Sequence, residues 1–325
     1  MNKKLAHIAG VSAAVILTMA LSSCGSNGGN DDGTVAIGIY PASVLSLPAF
    51  IGDKAGIFKN HDLTVDLIDG KSGPELTSAL LGGTTQIALG TPPTVIPAVQ
   101  QGQKLLSVPP YGGIDSSVAA TAASGIATLA DLSGKRVAVP ARGGAAEQYV
   151  TELLKEQGID PATVTFIAAG PSNAQVPIVR KGDVDAVVLS YASLTVFENE
   201  GLSLKVIANP ADGSAGDVGR YALGSFFMTT QKVADNSPTT LRSVCSAFFD
   251  IAAWMQNPAN APAGADIVAE ITGLPVEAAA DIYNYEASLW SETLDDERWK
   301  QNVDWVVSNL GGQSQAPAPL TSACT

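Results

Sequence analysis

The chain reads as an α/β protein of two lobes, each a mostly parallel sheet with helices on its faces. Three observations point there. Short apolar runs suited to strands alternate with helical apolar spacings over most of the sequence, as parallel strands joined by helical crossovers require. The span between two polar ends, about Thr34 to Leu310, is long enough for two cores. Past about Ser237 the alternation gives way to consecutive helices, so one lobe is expected to draw on both ends of the chain and the other on its middle.

Element by element, Val35–Ile39 is a short apolar strand, Pro41–Ser46 a loop, and Leu47–Gly56 a helix carrying Leu47, Phe50, Ile51 and Ala55 on one face. Leu63–Ile68 alternates as a strand. Ser72-Gly-Pro-Glu75 has the spacing of a capping box, and Gly82-Gly83 ends the helix it opens. Ile87–Leu89 is strand-like, and Thr91-Pro92 caps a helix to about Gln101. A second set begins with Arg136–Val139 (strand), Pro140–Gly144 (turn) and Ala145–Gln157 (helix with Val150, Leu153 and Leu154 together). Val164–Ile167 and Ala186–Leu189 are strands, followed by helices over 173–181 and about 192–199; Leu204–Ala208 is a further strand. Tyr221–Thr229 reads as a strand returning to the first lobe. Ser237-Pro238 opens a long helix with Leu241, Val244, Cys245, Phe248, Ala252 and Met255 at core spacing. Helices over 263–272, 275–288 and 295–309 complete the chain. The expected division is 34–113 plus 219–310 for one lobe and 114–218 for the other, with Gly- and Ser-rich crossings near Tyr111–Ser117 and Asp212–Arg220.

The ends carry different signals. Lys3 and Lys4 precede an apolar stretch, Ile8–Leu21, that is too short and Ala-rich for a good membrane span. It closes on Leu21-Ser-Ser-Cys24, which resembles the bacterial lipobox. That resemblance implies a signal peptide over 1–23, a diacylated Cys24 as mature N-terminus, and anchoring to the outer membrane face without spanning. Residues 24–33 are Gly, Ser, Asn and Asp and read as a tether. Residues 311–325 read as a loosely ordered tail.

Composition narrows the function. There are 31 Asp+Glu against 18 Lys+Arg, and loss of residues 1–23 removes two lysines and no acid. Such a chain is not built for nucleic acid. Only His7 and His61 exist, and His61 lies in a polar Lys-Asn-His-Asp turn, so neither a zinc centre nor a His-dependent nucleophile is expected. No metal, cofactor or catalytic residue is assigned. Cys245 and Cys324, the thiols left once Cys24 is acylated, are expected to pair in an oxidising space and tie the tail down.

In open α/β sheets, ligands sit outside the carboxyl ends of strands, where helix N-termini offer free N–H groups. The candidates for ligand contact are therefore Ser46, Ser72 and Gly73, Thr91, Arg142 with Gly143 and Gly144, and Ser172. Tyr111 and Tyr191 are candidates for walling an apolar part of the ligand. The helix N-termini and Arg142 favour a small organic anion.

Several stretches resemble one family. They are Asp53-Lys-Ala-Gly-Ile-Phe-Lys59 with Leu63-Thr-Val65, Ala79-Leu-Leu-Gly-Gly83 with Ile87-Ala-Leu-Gly-Thr-Pro92, Asp131-Leu-Ser-Gly-Lys-Arg-Val-Ala-Val-Pro140, and Lys181-Gly-Asp-Val-Asp-Ala186. In this order they resemble the solute-binding proteins of ABC importers, in the NitT/TauT group of nitrate, taurine, alkanesulfonate and thiamine-pyrimidine binders. The resemblance implies a type II periplasmic-binding-protein-like fold, with two mixed sheets, flanking helices and a two-segment hinge. It further implies a monomer that captures a small molecule between the lobes and delivers it to a membrane permease. A receptor for a sensor, and an enzyme of pyrimidine-related chemistry on the same fold, remain alternatives. The chain departs from many relatives at Ser190-Tyr191-Ala192-Ser193, where they carry a Trp-Glu-Pro-like turn. It also departs at Phe58-Lys-Asn-His-Asp62, which replaces a commoner acidic-glycine turn.

Overall fold

The structure, a computed structural model, describes residues 33–310 and 320–324. The expected signal peptide, Cys24 and nearly all of the tether lie outside these residues. In chain order, β1 (Thr34–Ile39), α1 (Leu47–Lys54), α2 (Ile57–Asn60), β2 (Thr64–Asp69), α3 (Gly73–Gly82), β3 (Ile87–Gly90), α4 (Pro92–Gln100) and β4 (Leu105–Gly113) come first. The middle holds β5 (Ser117–Thr121), β6 (Arg136–Val139), α5 (Ala145–Glu156), β7 (Thr165–Ala168), α6 (Ser172–Lys181), β8 (Ala186–Leu189), α7 (Tyr191–Asn199) and β9 (Leu204–Ala208). Then follow α8 (Val218–Tyr221), β10 (Leu223–Thr230), α9 (Gln231–Asn236), α10 (Pro238–Gln256), α11 (Ala261–Thr272), α12 (Val276–Leu289), β11 (Trp290–Ser291) and α13 (Asp296–Asn309).

The strands form two mixed sheets in a bilobal molecule. One has the order β11-β4-β10-β3-β1-β2 and the other β7-β6-β8-β5-β9. Each contains a parallel triplet, β2-β1-β3 or β7-β6-β8, continued by an antiparallel strand, β10 or β5. The triplets are parallel because helices connect their strands, and both β3 and β8 are buried along their whole length. Local signals match the ends of elements. Ser72 accepts from the Glu75 N–H while the Glu75 carboxylate accepts from the Lys71 N–H, a box that starts α3. In the middle sheet Arg136 grips Asp185 through Nε and Nη2 at 3.1 and 2.9 Å, and its backbone N–H donates to the same carboxylate at 2.8 Å, which locks β6 to the turn before β8.

The last helices wrap the first sheet. Leu241, Val244, Cys245, Phe248, Ile251 and Met255 of α10 are buried, and Phe248 packs its ring 4.5 Å from Phe227 of β10. Gly264 of α11 lies so close to Tyr283 of α12 that a Cβ there would meet the ring at 2.2 Å. Loose order was expected for 311–325, but the described part, 320–324, is fixed. Ser107 donates its N–H to Thr321 O at 3.0 Å, and Ala323 donates its N–H to Ser107 O at 2.7 Å. Cys324 is disulfide-bonded to Cys245 across 79 residues of chain. The backbone of β4 offers a free edge there, and the short segment takes it.

Candidate functional site

The register locates the place where the two sheets meet. Gly113 at the end of β4 pairs with Leu223 at the start of β10, and Phe226 of β10 pairs with Gly90 at the end of β3. In the other sheet Ser117 at the start of β5 pairs with Leu189 at the end of β8, and Val118 pairs with Ala208 at the end of β9. Both crossings, 114–116 and 209–222, therefore lie at the carboxyl ends of the parallel strands of both sheets. The loops after β1, β2, β3, β6, β7 and β8 flank this junction, which is where a ligand-binding site is expected on such sheets.

Three of the candidate side chains are engaged by their own loops. Ser46 is fully buried; its hydroxyl accepts from the Tyr40 N–H at 3.0 Å and donates to Tyr40 O at 3.1 Å, closing the loop after β1. Thr91 forms a capping box with Thr94, their hydroxyls 3.2 Å apart. Ser72 caps α3. A Cβ at Gly73 would sit 2.6 Å from Thr94 and 3.1 Å from the Tyr40 hydroxyl, so this glycine permits a close packing of the chain against itself. Ser172 is the first residue of α6, and its side chain makes no capping bond.

Two further candidates have partners within the chain. Tyr111 does not face the junction. It is buried in the six-stranded sheet with its hydroxyl 2.8 Å from Ser107 Oγ and its ring against Phe226, because β4 turns that face toward the core and the returning tail. Arg142 is engaged within its own loop: Nε and Nη2 donate to the two Glu147 carboxylate oxygens at 2.7 and 3.1 Å, and Nη1 donates to Phe166 O at 3.3 Å. The Gly143 N–H also donates to Glu147, at 2.8 Å. Glu147 lies in the first turn of α5, so the chain supplies its own anion to the N-terminus that Gly143 and Gly144 open. The signal for this was Glu147 itself, five residues after Arg142.

Tyr191 does lie at the junction. It begins α7, is 37% exposed, and meets Tyr285 of α12 edge-on with centroids 5.3 Å apart. Around that contact is a group of residues that the sequence reading passed over. Asp115, in the first crossing, is 2% exposed and Glu286 of α12 is 2% exposed. Their carboxyl groups lie against each other, with the Tyr191 backbone beside Asp115. Burial, then the Asp115 charge, raises the Glu286 pKa well above the carboxylate range. Burial raises Asp115 as well. Asp115 Oδ2, Glu286 Oε1 and the hydroxyls of Tyr149 and Tyr285 are buried without a hydrogen-bond partner among the described residues. Desolvation raises the pKa of both phenols, and Asp115 and Asp212 raise them further. The sequence did hold a sign of Glu286: it sits with Ala279, Ile282, Tyr283 and Ala287 on the buried face of α12, a core position that a lone carboxylate rarely takes.

On the other side of the junction, α5 is held to α13. The Asn309 side chain donates to Gln148 O at 3.0 Å. Glu156 accepts from the N–H groups of Asp217 and Val218 at 3.0 and 2.8 Å in the second crossing. Asn302, fully buried, accepts from Leu223 N–H at 2.9 Å. His61 bonds Asp250 on the surface at 2.7 Å. Among the described residues no group of His, Cys, Asp and Glu is arranged to hold a metal ion, and no helix is long and apolar enough to cross a membrane.

Two mixed sheets joined by two crossings, with loops from both converging on the junction, define the fold of the bilobal periplasmic binding proteins. The alkanesulfonate-binding protein SsuA of Xanthomonas axonopodis pv. citri, bound to MOPS, superposes with a TM-score of 0.72 at 19% identity, over 88% of this chain and 96% of that one. The aliphatic sulphonate-binding protein SsuA of Escherichia coli gives 0.68 at 17% identity, over 87% and 89%. The nitrate-binding protein NrtA of Synechocystis PCC 6803 gives 0.65 at 15%, over 85% and 80%. No curated protein sequence matches the chain. The family model described as NMT1/THI5 like matches residues 45–261, and the chain belongs to that family. These matches agree with the NitT/TauT resemblance read from the sequence.

Proposed function

We propose that the protein is an exported solute-binding lipoprotein. It takes a small organic molecule into the junction between its lobes, 34–113 plus 219–310 and 114–218, and passes it to the permease of an ABC importer. The observation that carries this reading is the set of buried polar groups, drawn from both lobes and the first crossing, that lack partners among the described residues. A ligand that satisfies groups on both lobes interacts fully only when the lobes are together, and that difference drives closure. The fold of the sulfonate and nitrate binders supports the reading. So does the chemistry of the described residues: the one histidine among them is tied to a surface aspartate, both cysteines are bonded, and nothing resembles a nucleophile with its base. The lipobox-like Leu21-Ser-Ser-Cys24 supports anchoring through Cys24. Arg142, which favoured an anionic ligand, is held by Glu147, so the ligand's charge has to be read from the junction groups instead.

A thermal-shift screen of sulfonates, nitrate, aromatic carboxylates, pyrimidines and amines tests capture, since a ligand of the folded state raises stability by mass action. Uptake of the hit should fall in cells lacking the protein. Unchanged uptake would overturn the transport reading. Cys24→Ala should leave the protein unprocessed or release it from the membrane fraction; normal mass and attachment would remove the lipid anchor from the account.

A further inference from the structure

We propose that Asp115 and Glu286, ringed by Tyr149, Tyr191 and Tyr285, recognise a positively charged nitrogen of the ligand that carries N–H donors: an amine or a guanidine. The inference deepens the solute-binding reading and rests on it, because it assigns the ligand class of the same junction.

The first argument is placement. Asp115 lies in the crossing itself, Tyr149 and Tyr191 come from α5 and α7 beside the five-stranded sheet, and Tyr285 and Glu286 come from α12 beside the six-stranded one. The Tyr191 backbone lies beside Asp115, and the Tyr191 ring meets Tyr285. A group held here touches both lobes and the crossing at once.

The second argument is the kind of atom left over. The unpartnered atoms are one oxygen each of Asp115 and Glu286, which offer lone pairs, and the hydroxyls of Tyr149 and Tyr285. Tyr149 is fully buried, so its hydroxyl has no recourse to bulk water. A phenol hydroxyl can accept as well as donate, so a group rich in N–H donors can meet all four atoms, whereas a sulfonate, nitrate or carboxylate could use the two phenols but would meet carboxyl lone pairs and negative charge.

The third argument is charge. Neither Asp115 nor Glu286 forms an ion pair with a described lysine, arginine or histidine, and the charged side chains that raise the Tyr149 and Tyr285 phenols include Asp115, Glu156, Glu286 and Asp212. Arg298, beside Gly113, donates its Nε to Tyr221 O at 3.0 Å. A buried carboxylate is costly without a counter-charge, and here no ion pair provides one. A ligand cation would supply it, and the faces of the tyrosine rings add cation–π attraction for an alkylated or planar cation.

The test uses purified protein and two sets of probes: spermidine, putrescine and agmatine as cations, and methanesulfonate, nitrate and benzoate as anions. At least one cation is expected to raise the melting temperature at pH 7 and to titrate calorimetrically. Asp115→Asn should weaken that binding by about 30-fold or more, and Tyr149→Phe, which removes one hydroxyl, by about tenfold. The melting temperature of ligand-free Asp115→Asn should equal or exceed that of the unaltered chain, since an uncompensated buried charge is removed; Tyr149→Phe supplies the test if Asp115→Asn does not fold. Binding of anions alone would overturn this inference and leave the solute-binding reading standing. Cation binding that both variants retain at full affinity would overturn it too. No binding by any of the six compounds would count against both.

Discussion

Reducing or removing the Cys245–Cys324 bond should cost the folded protein several kcal/mol. The bond closes a loop across 79 residues that contains α11, α12 and α13. In the chain-entropy treatment, opening a loop of this length frees the unfolded chain by about 4.5 kcal/mol at 25 °C, and native disulfides removed from small domains cost about 2–5 kcal/mol. For roughly 280 folded residues the unfolding entropy is about 0.6 kcal/mol per kelvin, so the loss corresponds to a fall in melting temperature of about 8 °C. The assay is differential scanning calorimetry of Cys245→Ser with Cys324→Ser against the oxidised chain, with and without reductant. The double variant should melt lower by 5–10 °C, or about the amount worked out above, and be insensitive to reductant. A shift of less than about 1 °C would refute the reasoning: it would mean that residues 320–324 leave β4 in a separate, local step.

Other outcomes follow from the same geometry. Gly264→Ala places a Cβ against the Tyr283 ring, whose hydroxyl is fixed on Met255 O at 3.2 Å, and should destabilise by about 1–3 kcal/mol in urea denaturation. The folded state binds a proton on Glu286 more tightly than the unfolded chain, which releases it near 4.5. This contribution is therefore full below that value and is lost as pH rises through the raised folded pKa. Asp185 has the opposite sign: Arg136 lowers its pKa, so its contribution is present above 3.8 and is lost as pH falls through the lowered folded value. Between pH 5 and 8 the melting temperature should accordingly fall with rising pH, as read by calorimetry over about three pH units. Glu286→Gln, which offers a donor to Asp115, should flatten that slope; an unchanged slope would detach it from the pair.

The fold was legible where local chemistry and burial agree. Ala186–Leu189 and Ile87–Gly90 are uninterrupted apolar runs because parallel strands covered on both faces need them, and Ser72, Ser190 and Ser237-Pro238 stand where helices begin. The strand Leu105–Gly113 was not legible, since Pro109-Pro110 and Gly112-Gly113 read as loop and only pairing with β10 and β11 makes it a strand. The short helices α2, α8 and α9 are single turns without a periodic face. The site was less legible than the fold. Cap residues announce helix starts, yet Ser46, Ser72 and Thr91 use their hydroxyls on the chain itself. Arg142 looked free because its partner Glu147 joins it only once α5 forms. Asp115 and Glu286 are 171 residues apart in sequence, and nothing short of the tertiary fold brings them together.

Hydrogen exchange with and without each compound that raises the melting temperature tests the central claim most directly. Capture between the lobes predicts slowed exchange on both sides of the junction at once, at the amides of Gly90 and Thr91 and of 113–117, 189–192 and 285–287. Protection confined to one sheet, or to the outer face between α5 and α13, would contradict it.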